Sequence, residues 1–174
     1  MQKKPNWLCT PKQVKQRMDA VKRYSFQQGM KPPYFLFTNG CFDICHAGHV
    51  TMLQYAKEVL PKGINRNVFI IVALNTDESV SKIKGPNRPV FNLRDRSKVV
   101  HTLECVDVVT YFEEETPLNV IQFLKPDILM KGGDYELEEV VGAAEMKANG
   151  GSVIIFPLLE GLSTTNFYER MQNA

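Results

Sequence analysis

Two histidines in the first third of the chain are the residues best suited to chemistry. His46 and His49 are three positions apart, and Gly48 lies between them. If a helix begins near Ala47, both imidazoles lie on one side of its first turn. There they can donate hydrogen bonds to phosphate oxygens, and the positive end of the helix dipole faces the same anion. Gly48 lets a ligand approach closely. The stretch therefore predicts a phosphate-binding site.

Strands and helices must alternate to position this site. An apolar run over Tyr34–Phe37 predicts a buried strand that ends at Thr38-Asn39-Gly40. A second run over Val68–Leu74 has no polar alternation, which is typical of a strand buried on both faces of a parallel sheet. Similar runs begin at residues 106, 126 and 153, with helical patterns between them. The pattern predicts an α/β fold: one domain with a Rossmann-like, doubly wound, five-stranded parallel sheet and helices on both faces.

Capping signals mark the expected helix starts. Thr10-Pro11 and Thr116-Pro117 each place a capping side chain before a proline at the first helical position, and Asn92 is a third cap. A single helix is expected over residues 138–148. The side chains expected on the buried face of the helix after Asn92 are Val99, Val100 and Leu103.

Size and composition exclude several classes of protein. The chain has 174 residues, of which 44% are apolar and 23% charged, as in an ordinary globular domain. The net charge of +2 gives no reason to expect nucleic acid or a membrane as partner. No apolar run is as long as a transmembrane helix, and no secretory signal follows the first residues.

The four cysteines favour reduced thiols over a metal site. Cys9, Cys41, Cys45 and Cys105 contain no CxxC pair. Cys41 and Cys45 lie beside the two histidines, so a metal site is the alternative, but zinc ligands usually have tighter spacing. Free thiols predict the cytoplasm as the compartment.

Polar segments follow four of the predicted strands. In a doubly wound sheet, ligands bind outside the carboxyl ends of the strands. The histidine stretch follows the first strand, Asn75 and Asp77 the second, Lys131–Tyr135 the fourth and Gly161–Asn166 the fifth. No GxGxxG or GxxxxGK[ST] motif is present, so neither a dinucleotide-binding fingerprint nor a P-loop is indicated.

Cations in the middle of the chain could grip an anion. The loop Lys84–Pro89 carries two of them among glycine and proline residues, although a solvated loop fits the pattern equally well. Arg94 and Arg96 oppose the dipole at the start of a helix, which hints at a function for at least one of them.

These motifs together resemble the nucleotidyltransferase superfamily with the HxGH motif. The segments TNGCFDICHAGHV, ALNTDESVSKIKG, RPV, KGGDY and GLSTTN occur in this order, and the resemblance covers residues 34–167. It is closest to the adenylyltransferases that make ADP-heptose from heptose 1-phosphate and ATP. In many bacteria that domain follows a sugar kinase; no kinase-sized region precedes it here, so the stand-alone form is expected. Residues 1–33 would be an N-terminal helical extension and 34–174 the nucleotidyltransferase domain.

The resemblance implies a role for each site residue. His46, His49, Lys84 and Arg96 would be catalytic, and Lys84 and Arg96 would also bind substrate phosphate. Asp43 and Asp134 would contact the sugar. Mg²⁺ would bridge the triphosphate of ATP, a substrate, without protein ligands of its own. Small-molecule substrates and a homodimer are the implied partners. The nucleotide would be bound by Thr38, Asn39, Gly40, Phe42, His46, His49, Asn75, Lys131, Gly132, Ser163, Thr164 and Thr165.

Three other functions fit less well. Glycerol-3-phosphate cytidylyltransferases share the HxGH motif, but they typically carry lysines shortly after it, where this chain has Val50-Thr51-Met52. An FMN adenylyltransferase of the archaeal type, or another enzyme acting on a small phospho-alcohol, is a second alternative. A non-catalytic nucleotide-binding regulator is a third, but a degenerate site usually loses some of the motif residues present here.

Overall fold

The computed structural model describes residues 6–58, 67–133 and 135–157. The chain begins with helix α1 (Pro11–Gln27), followed by strand β1 (Tyr34–Gly40) and helix α2 (Ala47–Glu58). Then come β2 (Val68–Asn75), α3 (Asp77–Lys84) and α4 (Leu93–His101). The remaining described elements are β3 (Val108–Phe112), α5 (Leu118–Leu124), β4 (Ile128–Gly132), a 3₁₀ turn (Leu137–Glu139), α6 (Ala143–Ala148) and β5 (Ser152–Phe156).

The five strands form one parallel sheet in the order β3-β2-β1-β4-β5. Phe37 of β1 lies opposite Ile71 of β2, and Leu36 lies opposite Ile128 of β4. Both neighbours of β1 run parallel to it, so each connection crosses over a face of the sheet, and helices cover both faces. The fold class predicted from the sequence is confirmed.

Alternation along β1 divides the core in two. Phe35 and Phe37 pack into one cluster with Val14 and Met18 of α1. Leu36 points the other way and joins a second cluster with the buried face of α2. The helix predicted in the first 33 residues therefore packs on the sheet, as its periodicity indicates.

The N-terminal segment is also tied to the sheet by backbone contacts. The Cys9 N–H donates to the Val109 carbonyl at 2.9 Å, and Leu8 forms a parallel bridge with Val109. The Thr110 hydroxyl donates to the Cys9 carbonyl at 3.0 Å. These bonds cover part of the open edge of β3.

Three local predictions are wrong. The helix expected over residues 138–148 is interrupted, because Gly142 has a φ of +95° and only the 3₁₀ turn precedes it. Pro117 and not Thr116 occupies the N-cap of α5, and it makes no side-chain cap. Val99, expected on a buried helix face, is 49% exposed, because packing selects a narrower helix face than the apolar pattern implies.

Within the described ranges, no helix is long and apolar enough to span a bilayer.

Candidate active site

The order of the strands creates a crevice between β1 and β4. The chain passes from β1 to β2 on one side and later returns to β4 on the other, so the two crossovers diverge at this point. Ligands of doubly wound sheets bind where the strand order reverses. A cleft of about 480 Å³ opens there at the carboxyl ends of the strands. Its wall includes Asn39, Gly40, Cys41, Phe42, His46, Gly48, His49, Met52, Asn75, Ile83, Lys84, Arg88, Glu115, Lys131, Gly132, Tyr135, Val141 and Phe156.

His46 and His49 stand together at the start of α2, as the spacing predicts. Their ring centroids are 3.9 Å apart, and the Phe42 ring packs against His49 at 4.6 Å. The backbone N–H of His46 donates to His49 Nδ1 at 3.3 Å. Because Nδ1 accepts this bond, the neutral His49 ring carries its proton on Nε2. That N–H is the group available to a ligand.

Both imidazoles are neutral at pH 7. Burial lowers the pKa of His46, and burial together with the neighbouring His46 lowers the pKa of His49 to about 4. Desolvation and a like charge both disfavour the imidazolium form. In the neutral state the two imidazoles can bind an anion by donating hydrogen bonds through their ring N–H groups, and the dipole of α2 adds to the attraction. They carry no positive charge of their own.

Lys131 supplies a positive charge on the opposite side of the crevice. Its Nζ donates to the Asn39 side-chain oxygen at 2.8 Å, a bond that joins the ends of β4 and β1. Burial lowers the pKa of Lys131. The acceptor is a neutral amide, so this bond leaves the ammonium charge uncompensated. Such a group favours a bound anion.

Arg96 lies beneath the cleft and not on its wall. Its side chain is fully buried, and its guanidinium donates to backbone carbonyls and to Asp77. The phosphate contact implied for Arg96 by resemblance would require these bonds to break.

Asp43 is likewise turned inward. Its side chain is 1% exposed and accepts from Arg88 Nε at 2.6 Å. It also accepts from the Val90 and Phe91 N–H groups at 2.7 and 3.1 Å. The carboxylate expected to contact a sugar thus holds the loop that follows α3.

The other predicted residues divide into three groups. Asn39, Gly40, Phe42, Gly132 and exposed Lys84 lie on the cleft wall. Asn75 also reaches the wall, but its amide nitrogen donates to Ser79 Oγ at 2.9 Å. Thr38 is fully buried within β1. Four predicted residues lie outside the described ranges: Asp134, Ser163, Thr164 and Thr165.

Some lining residues were not among the predicted site residues. Met52, Tyr135, Val141 and Phe156 give the cleft its apolar part. Their sequence pattern matches that of ordinary core or surface residues, and no signal marked them. For Arg88, the sequence indicated only that it is one of two cations in a loop that could bind an anion.

The cysteines carry no disulfide. All four thiols are free, as predicted, and Cys41 Sγ donates to the Asn75 side-chain oxygen at 3.9 Å. Within the part of the chain that the structure describes, no three His, Cys, Asp or Glu residues gather in a metal-binding arrangement.

Comparison with known proteins agrees with this geometry. A cytidylyltransferase-like family model matches residues 37–170. Over 139 residues the chain is 50% identical to the Bifunctional protein HldE of Gluconobacter oxydans, covering 80% of this chain and 28% of that one. Over 169 residues it is 41% identical to the Bifunctional protein HldE of Nitrobacter hamburgensis, covering 95% and 32%. The chain thus spans less than a third of the length of these relatives.

Two solved structures share the fold. A lipopolysaccharide core biosynthesis protein from Thermoplasma volcanium matches with a TM-score of 0.54 and 23% identity, covering 72% of this chain and 96% of that one. The pantoate-beta-alanine ligase of Francisella tularensis matches with a TM-score of 0.59 and 15% identity, covering 92% and 72%. Together with the paired histidines at the strand crossover, the family match shows that this chain belongs to the cytidylyltransferase-like nucleotidyltransferases.

Proposed function

We propose that the protein transfers AMP from ATP to a sugar 1-phosphate, heptose 1-phosphate, and releases ADP-heptose and pyrophosphate. The observation that carries the proposal is the close contact between the His46 and His49 rings on the wall of the same cleft as Lys131, which joins the ends of β4 and β1 through Asn39. The 41–50% identity to the bifunctional HldE proteins supports the choice of sugar and base.

The reaction needs positioning more than proton transfer. A phosphate oxygen of the sugar 1-phosphate attacks the α-phosphorus of ATP in line, a new P–O bond forms, and the bond to pyrophosphate breaks. The nucleophile is already an anion at neutral pH, so no general base is required. The protein must bring two polyanions together and stabilise the charge that develops on the transferred group.

Each group on the cleft wall has a place in this scheme. The histidine N–H donors contact the α-phosphate region, where neutral imidazoles stabilise charge without taking a proton from the nucleophile. Lys131 and Lys84 attract the phosphates from opposite sides of the cleft. The backbone of Asn39 and Gly40 lies beside the nucleotide. Asp134 contacts the sugar. The hydroxyls of Ser163, Thr164 and Thr165 hold the β- and γ-phosphates.

Mg²⁺ is proposed to enter as part of the substrate, Mg·ATP. The described wall has one carboxylate, Glu115, among three cationic side chains, namely Lys84, Arg88 and Lys131. Such a wall suits an ion held by triphosphate oxygens and water better than a cage built from protein ligands. When bound, the ion neutralises charge on the leaving pyrophosphate.

We further propose a cytoplasmic homodimer acting on small molecules. The free thiols support the compartment. Tyr24 and Phe26, near the end of α1, are 60% and 85% exposed and could contribute to an interface between two copies. Analytical ultracentrifugation tests the dimer, and a monomer at micromolar concentration would contradict it.

A substrate panel tests the reaction directly. Pyrophosphate release is measured with ATP, CTP, GTP and UTP, each against heptose 1-phosphate and glycerol 3-phosphate. We expect ATP with heptose 1-phosphate to be the best pair, and His49→Gln to lower its kcat by at least about 100-fold while the fold is retained. CTP with glycerol 3-phosphate as the best pair would overturn the assignment. Nucleotide binding without pyrophosphate release from any pair would indicate a non-catalytic regulator.

A further inference from the structure

Arg96 connects parts of the chain that are far apart in sequence. Its Nε donates to the Phe91 carbonyl at 2.9 Å, and its Nη1 donates to the Cys41 carbonyl. Its Nη2 donates to the Asn75 carbonyl at 2.8 Å and to Asp77 Oδ1 at 2.7 Å. One planar guanidinium therefore satisfies three backbone carbonyls and one carboxylate.

Each of these acceptors belongs to a segment that forms the cleft. Cys41 precedes Phe42, whose φ of +46° is unusual for a residue other than glycine and whose ring packs on His49. Asn75 ends β2, and Asp77 begins the helix that ends at Lys84. Phe91 belongs to the loop after α3, whose Arg88 side chain and Phe91 N–H both donate to Asp43. The guanidinium thus links the loop that precedes the histidines to the end of β2, the start of α3 and the loop after α3.

Stability alone is a poor explanation for such a group. Burying a guanidinium carries a large desolvation cost, and well-packed apolar residues often stabilise a core equally well. The bonds of Arg96 instead fix the positions of backbone atoms next to the cleft. Lysine cannot reproduce them, because its single ammonium lacks the planar set of donors that reaches several acceptors at once.

We propose that Arg96 is a positioning residue, which fixes the strained Cys41-Phe42 backbone and thereby the geometry of the His46–His49 pair. The expected effect of Arg96 on kcat rests on the proposed function. The expected structural effect, on the orientation and tautomer of the His49 ring, does not depend on which substrates the enzyme takes.

The test compares Arg96→Lys with Arg94→Lys, a matched control on the exposed side of the same helix. We expect Arg96→Lys to lower kcat by roughly 100-fold, since a displacement of about 1 Å can cost that much. The KM for Mg·ATP should change by less than kcat does. Arg94→Lys should retain wild-type kcat. Equal kinetics in wild type and Arg96→Lys would overturn the proposal.

Two further measurements separate positioning from a general loss of structure. The ¹⁵N shifts of the His49 ring report the Nε2–H tautomer, and we expect Arg96→Lys to lose that preference while its circular dichroism remains native. An unchanged tautomer would contradict the proposal even if the wild type proved inactive on heptose 1-phosphate.

If Arg96→Lys fails to fold, Asp77→Ala removes one anchor, and this variant is expected to fold because Asp77 is 39% exposed and the bonds of Arg96 to the three carbonyls remain. A fivefold lower kcat, roughly, is then expected, and an unchanged kcat would overturn the proposal.

Discussion

At the scale of single residues, the environment of His49 decides what its ring can do. Phe42 and His46 cover the ring on two sides, and a backbone N–H occupies Nδ1. These contacts remove water, so the imidazolium form is disfavoured and the pKa falls to about 4. The ring is consequently held as a neutral donor at the pH where a triphosphate carries its full charge.

The lowered pKa of His49 makes stability depend on pH. Its pKa lies below the ordinary value of 6.5 when the protein is folded, so the unfolded chain binds the proton more tightly. The stability contributed by the neutral ring is therefore fully present above pH 6.5 and is lost as the pH falls toward 4. The loss is at most about 3.5 kcal/mol, since each pKa unit corresponds to about 1.4 kcal/mol.

Urea unfolding at pH 7 and 4.5 of wild type and His49→Gln measures this effect. Carboxylates are present in both proteins, so their contributions cancel in the comparison, and the difference reports His49 together with its coupling to His46. The free energy of unfolding of the variant should fall less on acidification than that of the wild type. Parallel decreases in the two proteins would show that His49 is not protected in this way.

At the scale of elements, two short helices position site residues because a capping side chain fixes where each helix begins. The Thr76 hydroxyl accepts from the Ser79 N–H at 3.3 Å at the start of α3, which ends in Lys84. The Asn92 side chain accepts from the Asp95 N–H at 3.0 Å at the start of α4, which carries Arg96. Helices of eight and nine residues gain little from propensity alone, so caps and packing determine their ends.

Removing the cap of α4 should weaken the fold measurably. Asn92→Ala leaves the Asp95 N–H without its acceptor, and we expect a loss of about 1 kcal/mol in the free energy of unfolding by urea. Asn92→Ser restores a capping oxygen and should recover most of that loss. Equal stability of the alanine and serine variants would contradict a capping role.

At the scale of the whole molecule, most of the residues that stabilise the fold lie apart from the residues that line the cleft. Two apolar clusters pack on opposite faces, and the cleft opens at the carboxyl ends of the strands. Helix α1 adds Val14 and Met18 to one cluster, and the backbone at Cys9 bonds to β3. The N-terminal residues thus support the sheet without forming any part of the described cleft wall.

Met18→Ala should reduce stability without altering nucleotide affinity. Met18 is fully buried, so its truncation leaves a cavity that costs about 2–5 kcal/mol. Chemical denaturation measures the loss, and Gln16→Ala, at an exposed position of the same helix, is the control. Because Met18 does not line the cleft, the Kd for Mg·ATP should match that of the wild type at a temperature where both are folded. A large change in Kd would mean that α1 reaches the site.

The sequence by itself determined the fold class, the helix start at Ala47 and the edge of the sheet at which polar segments gather. These features depend on local chemistry: apolar periodicity, proline and glycine positions, and capping side chains. Although the longer pattern of α1 was reliable, the helical pattern over residues 138–148 was misleading. There Gly142 adopts a left-handed conformation that packing demands, since a Cβ atom would lie 2.7 Å from Ile121.

Only the tertiary structure decided what the charged residues do. The family resemblance made Arg96 and Asp43 candidates for substrate contact, but in the folded chain both side chains are buried and bonded to backbone groups. Lys131 faces the cleft because β4 lies beside β1 and not beside β3, its predecessor in sequence. Sequence spacing fixes which side chains lie at strand ends, whereas strand order and the competition for buried hydrogen bonds determine which of them reach a ligand.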